Sequence, residues 1–130
     1  MKEILDFLNA AKIFYLATSD GEIPHVRPLG FAMEHDGKIM YCTSNKKDMY
    51  KQMKANPNVE ISCVNEDMVT LRITGHAVFV TSEQTQEKAL EIMPMLKNMY
   101  AVSDGKFEIF YIENMKATTT TMGGETKVLA

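Results

Sequence analysis

Apolar residues along this chain change rhythm several times, and each change marks an element. Ile4, Leu5, Phe7, Leu8 and Ala11 fall on one helical stripe, so residues 2–11 predict a short amphipathic helix. From Ile13 to Thr18 the apolar residues crowd together as in a strand, and Asp20-Gly21 ends the run with a tight-turn dipeptide. A second strand is expected from about Ile23 to His35. Pro24 and Pro28 each remove an N–H donor from it, which argues for an edge, a bulge or an opening in the sheet. Asp36-Gly37 repeats the turn, and Lys38 to Thr43 completes a three-stranded meander.

Beyond the meander, Lys46 to Ala55 reads as a helix capped by Asn45 and ended by Asn56-Pro57. Val59 to Val64 is a strand, Glu66-Asp67 a turn, and Met68 to Thr81 a long strand with a bulge or bend expected at Gly75. A helix should span Ser82 to Tyr100, with Thr81 and Gln84 as its capping box and Pro94 breaking it. Asp104-Gly105 turns the chain into two further strands, Phe107 to Glu113 and Ala117 to Met122. Residues 123–130 read as a polar tail. The sum is a mainly β fold with small helices: six or seven largely antiparallel strands forming one barrel-like domain over residues 1–130.

Composition narrows the function classes. A chain of 130 residues can bury a core without disulfides or metal. The formal net charge of −3 leaves no basic excess to track a nucleic-acid backbone. No apolar run approaches the ~20 residues of a membrane span. The charged N-terminus does not resemble a signal peptide, so a cytoplasmic location is expected. Cys42 and Cys63 lie in apolar runs and are expected as buried reduced thiols. His25, His35, His76 and the cysteines show no H-x-x-x-H or C-x-x-C spacing, so no metal site is expected.

Two segments carry candidate chemistry. In Pro24-His25-Val26-Arg27-Pro28, His25 and Arg27 share one face of an interrupted strand. A strand arginine is commonly a surface residue; beside two prolines it can also meet a ligand. In Thr43-Ser44-Asn45-Lys46-Lys47, two hydroxyls and two ammoniums stand where a strand gives way to a helix. Cations oppose the positive end of a helix dipole unless an anion joins them. The pair is therefore either solvated charge or part of a phosphate-binding corner. No GxxxxGK[ST] or GxGxxG motif is present.

The order of these features is a helix, strands bearing P-x-x-R-P, a strand ending T-S-x-K-K, a helix ending N-P, and a long strand with R-x-x-G. It resembles the pyridoxamine 5′-phosphate oxidase-like, FMN-binding split barrels over about Met1 to Met122. The likeness is strongest to short bacterial members of the pyridoxamine-phosphate-oxidase-related or nitroimidazole-resistance type. The resemblance implies a homodimer of split barrels with FMN at the subunit interface. It implies that Arg27, Thr43, Ser44, Lys46 and Lys47 hold the phosphate, that His25, Val26 and Pro28 line the ring edge, and that Arg72 reaches the cofactor. It also implies an FMN-dependent oxidoreductase, akin to a flavin or nitro-compound reductase, passing hydride from a nicotinamide donor to a small acceptor. A module that binds flavin, deazaflavin or haem without turnover is the alternative. The arginine- and tryptophan-bearing C-terminal segment of true pyridoxamine phosphate oxidases is missing, so vitamin B6 oxidation is not expected.

Overall fold

The computed structural model describes residues 1–130. Its helices are α1 (Lys2–Ala11), α2 (Asp48–Ala55) and α3 (Glu83–Ile92), followed by a short 3₁₀ turn at Pro94–Asn98. Its strands are β1 (Phe14–Asp20), β2 (Ile23–Leu29), β3 (Met33–His35), β4 (Lys38–Ser44), β5 (Asn58–Val64), β6 (Thr70–Phe79), β7 (Phe107–Thr120) and β8 (Thr126–Val128). They form one antiparallel sheet in the order β2-β1-β5-β6-β7-β4-β3, with β8 added to the far half of β7.

The expected meander does not form. The run from Ile23 to His35 breaks at Gly30–Ala32, so β2 pairs only with β1 and β3 only with β4. The two halves of the expected strand thus occupy opposite edges of the sheet. The prolines explain this: Pro24 and Pro28 cannot donate to a second neighbour, so β2 must be an edge. Residues 30–32 cross from edge to edge, leaving the barrel split there.

Two cores form because β4 and β7 are apolar on both faces. Ile39, Tyr41, Phe110 and Ile112 join the barrel interior with Phe14, Leu16, Ile61, Leu71 and Ile73, closed by Ile4 and Leu8 of α1 and Met49 and Met53 of α2. Met40, Phe107 and Ile109 face a second core with Phe31, Ala89, Leu90, Leu96 and Tyr100. A strand buried on both sides loses its alternation, which is why this stretch reads as continuous apolar sequence.

Turn chemistry follows the sequence. Asp36 and Gly37 both take positive φ (54° and 74°), the two-residue hairpin that Asp-Gly favours. Gly75 lies where the β6–β7 register shifts, opposite left-handed Asn114. A Cβ there would collide with Ile112 Cγ2 and lie 2.6 Å from the Glu113 carbonyl oxygen.

Other expectations are corrected. The expected 117–122 strand is the continuation of β7, which runs unbroken through the bulge. The polar tail contributes β8, giving eight strands. The helix after β4 starts at Asp48 rather than Lys46, and Lys47 holds the cap position without a side-chain cap. Asn45 does not cap it, because its amide donates to the Gly105 carbonyl and to Glu108 (both 2.9 Å). The capping box of α3 is Ser82 with Thr85, one residue beyond the expected pair: Thr85 N–H donates to Ser82 Oγ, and Ser82 N–H to Thr85 Oγ1. Pro94 ends α3 as expected.

Candidate functional site

β1, β2, β4 and the start of α2 converge on one corner. Pairing sets Arg27 opposite Leu16 and His25 opposite Thr18, so both residues turn toward α2, while Val26 and Pro28 project from the other face of the edge strand. Arg27 donates from Nη1 to Thr18 Oγ1 (2.6 Å) and from Nη2 to Gln52 Oε1 (2.8 Å). Thr18 donates in turn to the same Gln52 oxygen at 2.6 Å. Burial draws the guanidinium below its ordinary pKa, and neighbouring Asp48 pulls it back up. Two of its five donors are engaged in this way, leaving three. His25 is half-buried beside Asp48 and Gln52 in an open polar groove.

At the end of β4, shortly before α2 begins, the Thr43 hydroxyl is buried and has no hydrogen-bond partner. Unpaired buried hydroxyls are rare and cost about 1–3 kcal/mol. Ser44, next along the strand, faces the opposite way, and its Oγ accepts from Lys46 N–H at 3.2 Å, shaping the turn into α2. Lys46 and Lys47 are exposed and join no ion pair. The first-turn N–H groups of α2 have no side-chain cap. The corner therefore holds one orphan hydroxyl, uncapped helix donors, two unpaired ammoniums and a guanidinium with donors to spare. A phosphate monoester matches that set.

Beside the corner lies a trough of about 380 Å³ lined by Pro28, Leu29, Gly30, Phe31, Cys42, Lys47 and, across from them, Met93, Met95, Leu96, Met99 and Tyr100. Lys12 and Ile13 complete it. Nine of its thirteen lining residues are hydrophobic, the character of a small-molecule site. Burial pushes the Cys42 thiol up to about 12 against the pull of Lys47. Tyr100 stacks on Phe107 with ring centroids 4.4 Å apart, a rigid element in a wall otherwise made largely of flexible methionines.

The structure thus brings Arg27, His25, Thr43, Ser44, Lys46 and Lys47 around the start of α2 and puts Pro28 and Lys47 on the trough. Val26 is exposed on the outer face of β2. Arg72 lies apart: it sits on the outer face of β6 and grips Glu60 on β5 through Nε and Nη2 (2.9 and 2.6 Å). The second wall, Met93 to Tyr100, was not anticipated as part of a site. A helix broken by Pro94 within a run of methionines was its only mark in the sequence. Cys42 likewise could not be told from a core residue.

The sequence profile of the pyridoxamine 5′-phosphate oxidase family matches residues 1–120. The chain belongs to that family. Among solved structures, a NimC/NimA family protein from Clostridium acetobutylicum is 41% identical with a TM-score of 0.94, over 98% of this chain and 90% of that one. A FAD-binding protein from Mesorhizobium loti is 17% identical (TM-score 0.64), over 92% of this chain and 94% of that one. A heme-binding protein from Mycobacterium smegmatis is 14% identical (TM-score 0.74), over 93% of this chain and 53% of that one. The last two share the split-barrel fold. No curated protein matches the sequence. No helix is long and apolar enough to cross a membrane.

Proposed function

We propose that this chain is an FMN-dependent oxidoreductase, related to flavin and nitro-compound reductases, that works as a cytoplasmic homodimer. The observation that carries the reading is the buried, partnerless Thr43 hydroxyl at the end of β4, just ahead of the unpaired cations Lys46 and Lys47, the second of which also lines an apolar trough. A hydroxyl without a partner is stabilised when an acceptor arrives, and phosphate oxygens are strong acceptors. Arg27, Thr43, Lys46, Lys47 and the α2 N–H groups hold the phosphate; the Pro28–Phe31 backbone and the Met93–Tyr100 wall enclose the ring. FMN would supply hydride transfer between a nicotinamide donor and a small acceptor. The chain binds and orients it, and the methionine and aromatic wall keeps bulk water from one side of the trough.

The family's pyridoxamine oxidation is not part of this reading, because the sequence contains no tryptophan, a residue that true pyridoxamine phosphate oxidases carry in their C-terminal segment. The experiment is direct. The purified protein is titrated with FMN while its visible spectrum is recorded, then NADH and NADPH are added without oxygen. A saturable band shift at micromolar FMN followed by bleaching supports the reading. No saturable change refutes it. Bound flavin that neither donor bleaches supports the carrier alternative instead.

A further inference from the structure

Lys12 is the one charged residue of the trough that the proposed phosphate corner does not use. It follows the last turn of α1, where its N–H donates to Leu8 O at 3.0 Å. Its φ and ψ are 70° and −47°, and Ile13 N–H donates to Ala11 O at 2.8 Å across it. That is a γ-turn of the rare, strained hand. Helix ends that need positive φ usually take Gly, sometimes Asn, because a Cβ is disfavoured there. A lysine held at such a position by the α1 end and the start of β1 carries strain that persists only where the surroundings impose it.

Its surroundings give that strain a use. The Lys12 carbonyl oxygen lies 3.7 Å from where a Gly30 Cβ would be, so the turn abuts the segment that crosses the split. Lys12 is exposed, belongs to no ion pair and lines the trough, whose only other charged lining residue is Lys47. No carboxylate lines the trough. One cation therefore stands at the phosphate corner and a second at the Gly30 wall of the same apolar cavity. A ligand with a phosphate at one end and a group that becomes anionic at the other satisfies both. A flavin ring that takes up a hydride, two electrons with one proton, gains one negative charge.

We propose that Lys12 is a tuning cation of the trough, placed by its strained turn to favour the reduced ring of bound FMN. The inference rests on the FMN reading above and adds a residue and a role to it.

The test compares wild-type protein, Lys12→Met, Lys12→Arg and Lys12→Gly, each loaded with FMN, by dye-equilibrated reduction potentials. Melting of the flavin-free proteins is recorded alongside. Lys12→Met should bind oxidised FMN within about threefold of wild type. It should lower the potential by ~30 mV or more, a tenfold fall in the preference for reduced over oxidised flavin. Lys12→Arg should restore most of that loss. Lys12→Gly should lower the potential equally while raising the melting temperature of the flavin-free protein, because glycine relieves the turn. An unchanged potential in flavin-loaded Lys12→Met overturns the proposal and leaves the FMN reading standing. A Lys12→Gly protein that melts no higher than wild type removes the strain on which the proposal is built. Failure of wild-type protein to take up FMN overturns the parent reading and this inference together.

Discussion

Replacing Thr43 by Val should change stability and binding in opposite directions. Valine keeps the branched shape and exchanges the hydroxyl for a methyl. In the flavin-free protein that hydroxyl is buried without a partner, so its desolvation is uncompensated. Relief of such a group is worth about 1–3 kcal/mol. The flavin-free variant should therefore melt higher by roughly 3–5 °C for each kcal/mol, by interpolation for a domain of this size. With FMN bound the sign reverses. A hydrogen bond to a charged acceptor contributes about 1.5–3 kcal/mol, so its loss weakens FMN roughly 10- to 150-fold. Melting curves with and without FMN, with a fluorescence titration of the flavin, read both quantities. Tyr41 is the internal control, because its hydroxyl is the other buried orphan and its ring stacks with Phe110 inside the barrel. Tyr41→Phe should stabilise the protein and leave FMN affinity unchanged. A Thr43→Val protein that melts lower than wild type and binds FMN equally well would refute the reasoning.

Other expectations follow from the same geometry. Arg27→Ala should weaken FMN by roughly 1.5–3 kcal/mol in the same titration, and Arg27→Lys should recover only part, since an ammonium lacks the guanidinium fork. Gly75→Ala should lower stability in urea melts by about 1–3 kcal/mol, because the new methyl meets the β7 backbone. Burial holds Cys42 up to about 12 and Cys63 up to about 11. An unfolded thiol ionises near 8.5. The neutral folded thiols thus add stability that is complete below pH 8.5 and declines as pH rises toward 11, and Cys63→Ala should flatten that decline in melts across pH 7 to 11.

Local physics made much of the fold legible. The α1 stripe, the Asp36-Gly37 turn, the register shift at Gly75 and the break at Pro94 are each dictated by nearby residues and stand where the spacing puts them, whereas Asp20 ends β1 and the first hairpin turns at Gly21-Glu22. The partition of 23–35 into two edge strands was not legible. Prolines reveal that a strand lacks a neighbour, but which neighbour it lacks depends on β5 and β7, far along the chain. Asn45 misled for a related reason: as a local cap it is ideal, yet Gly105 and Glu108 compete for its amide from 60 and 63 residues further along the chain. The unpaired state of Thr43 and the shared trough of Lys12 and Lys47 depend on packing between distant elements, and no spacing rule encodes them.

The corner around α2 is the centre of the account, and comparing FMN with riboflavin isolates it, because the two ligands differ only in the phosphate. Dissociation constants for both should be measured on the wild-type protein at low and at high salt. With about two charge-assisted contacts contributing at least ~1.5 kcal/mol each, FMN should bind roughly 100-fold or more tightly than riboflavin. That advantage should shrink as salt rises, since Lys46 and Lys47 are exposed. Equal affinities for the two ligands, insensitive to salt, would contradict the account.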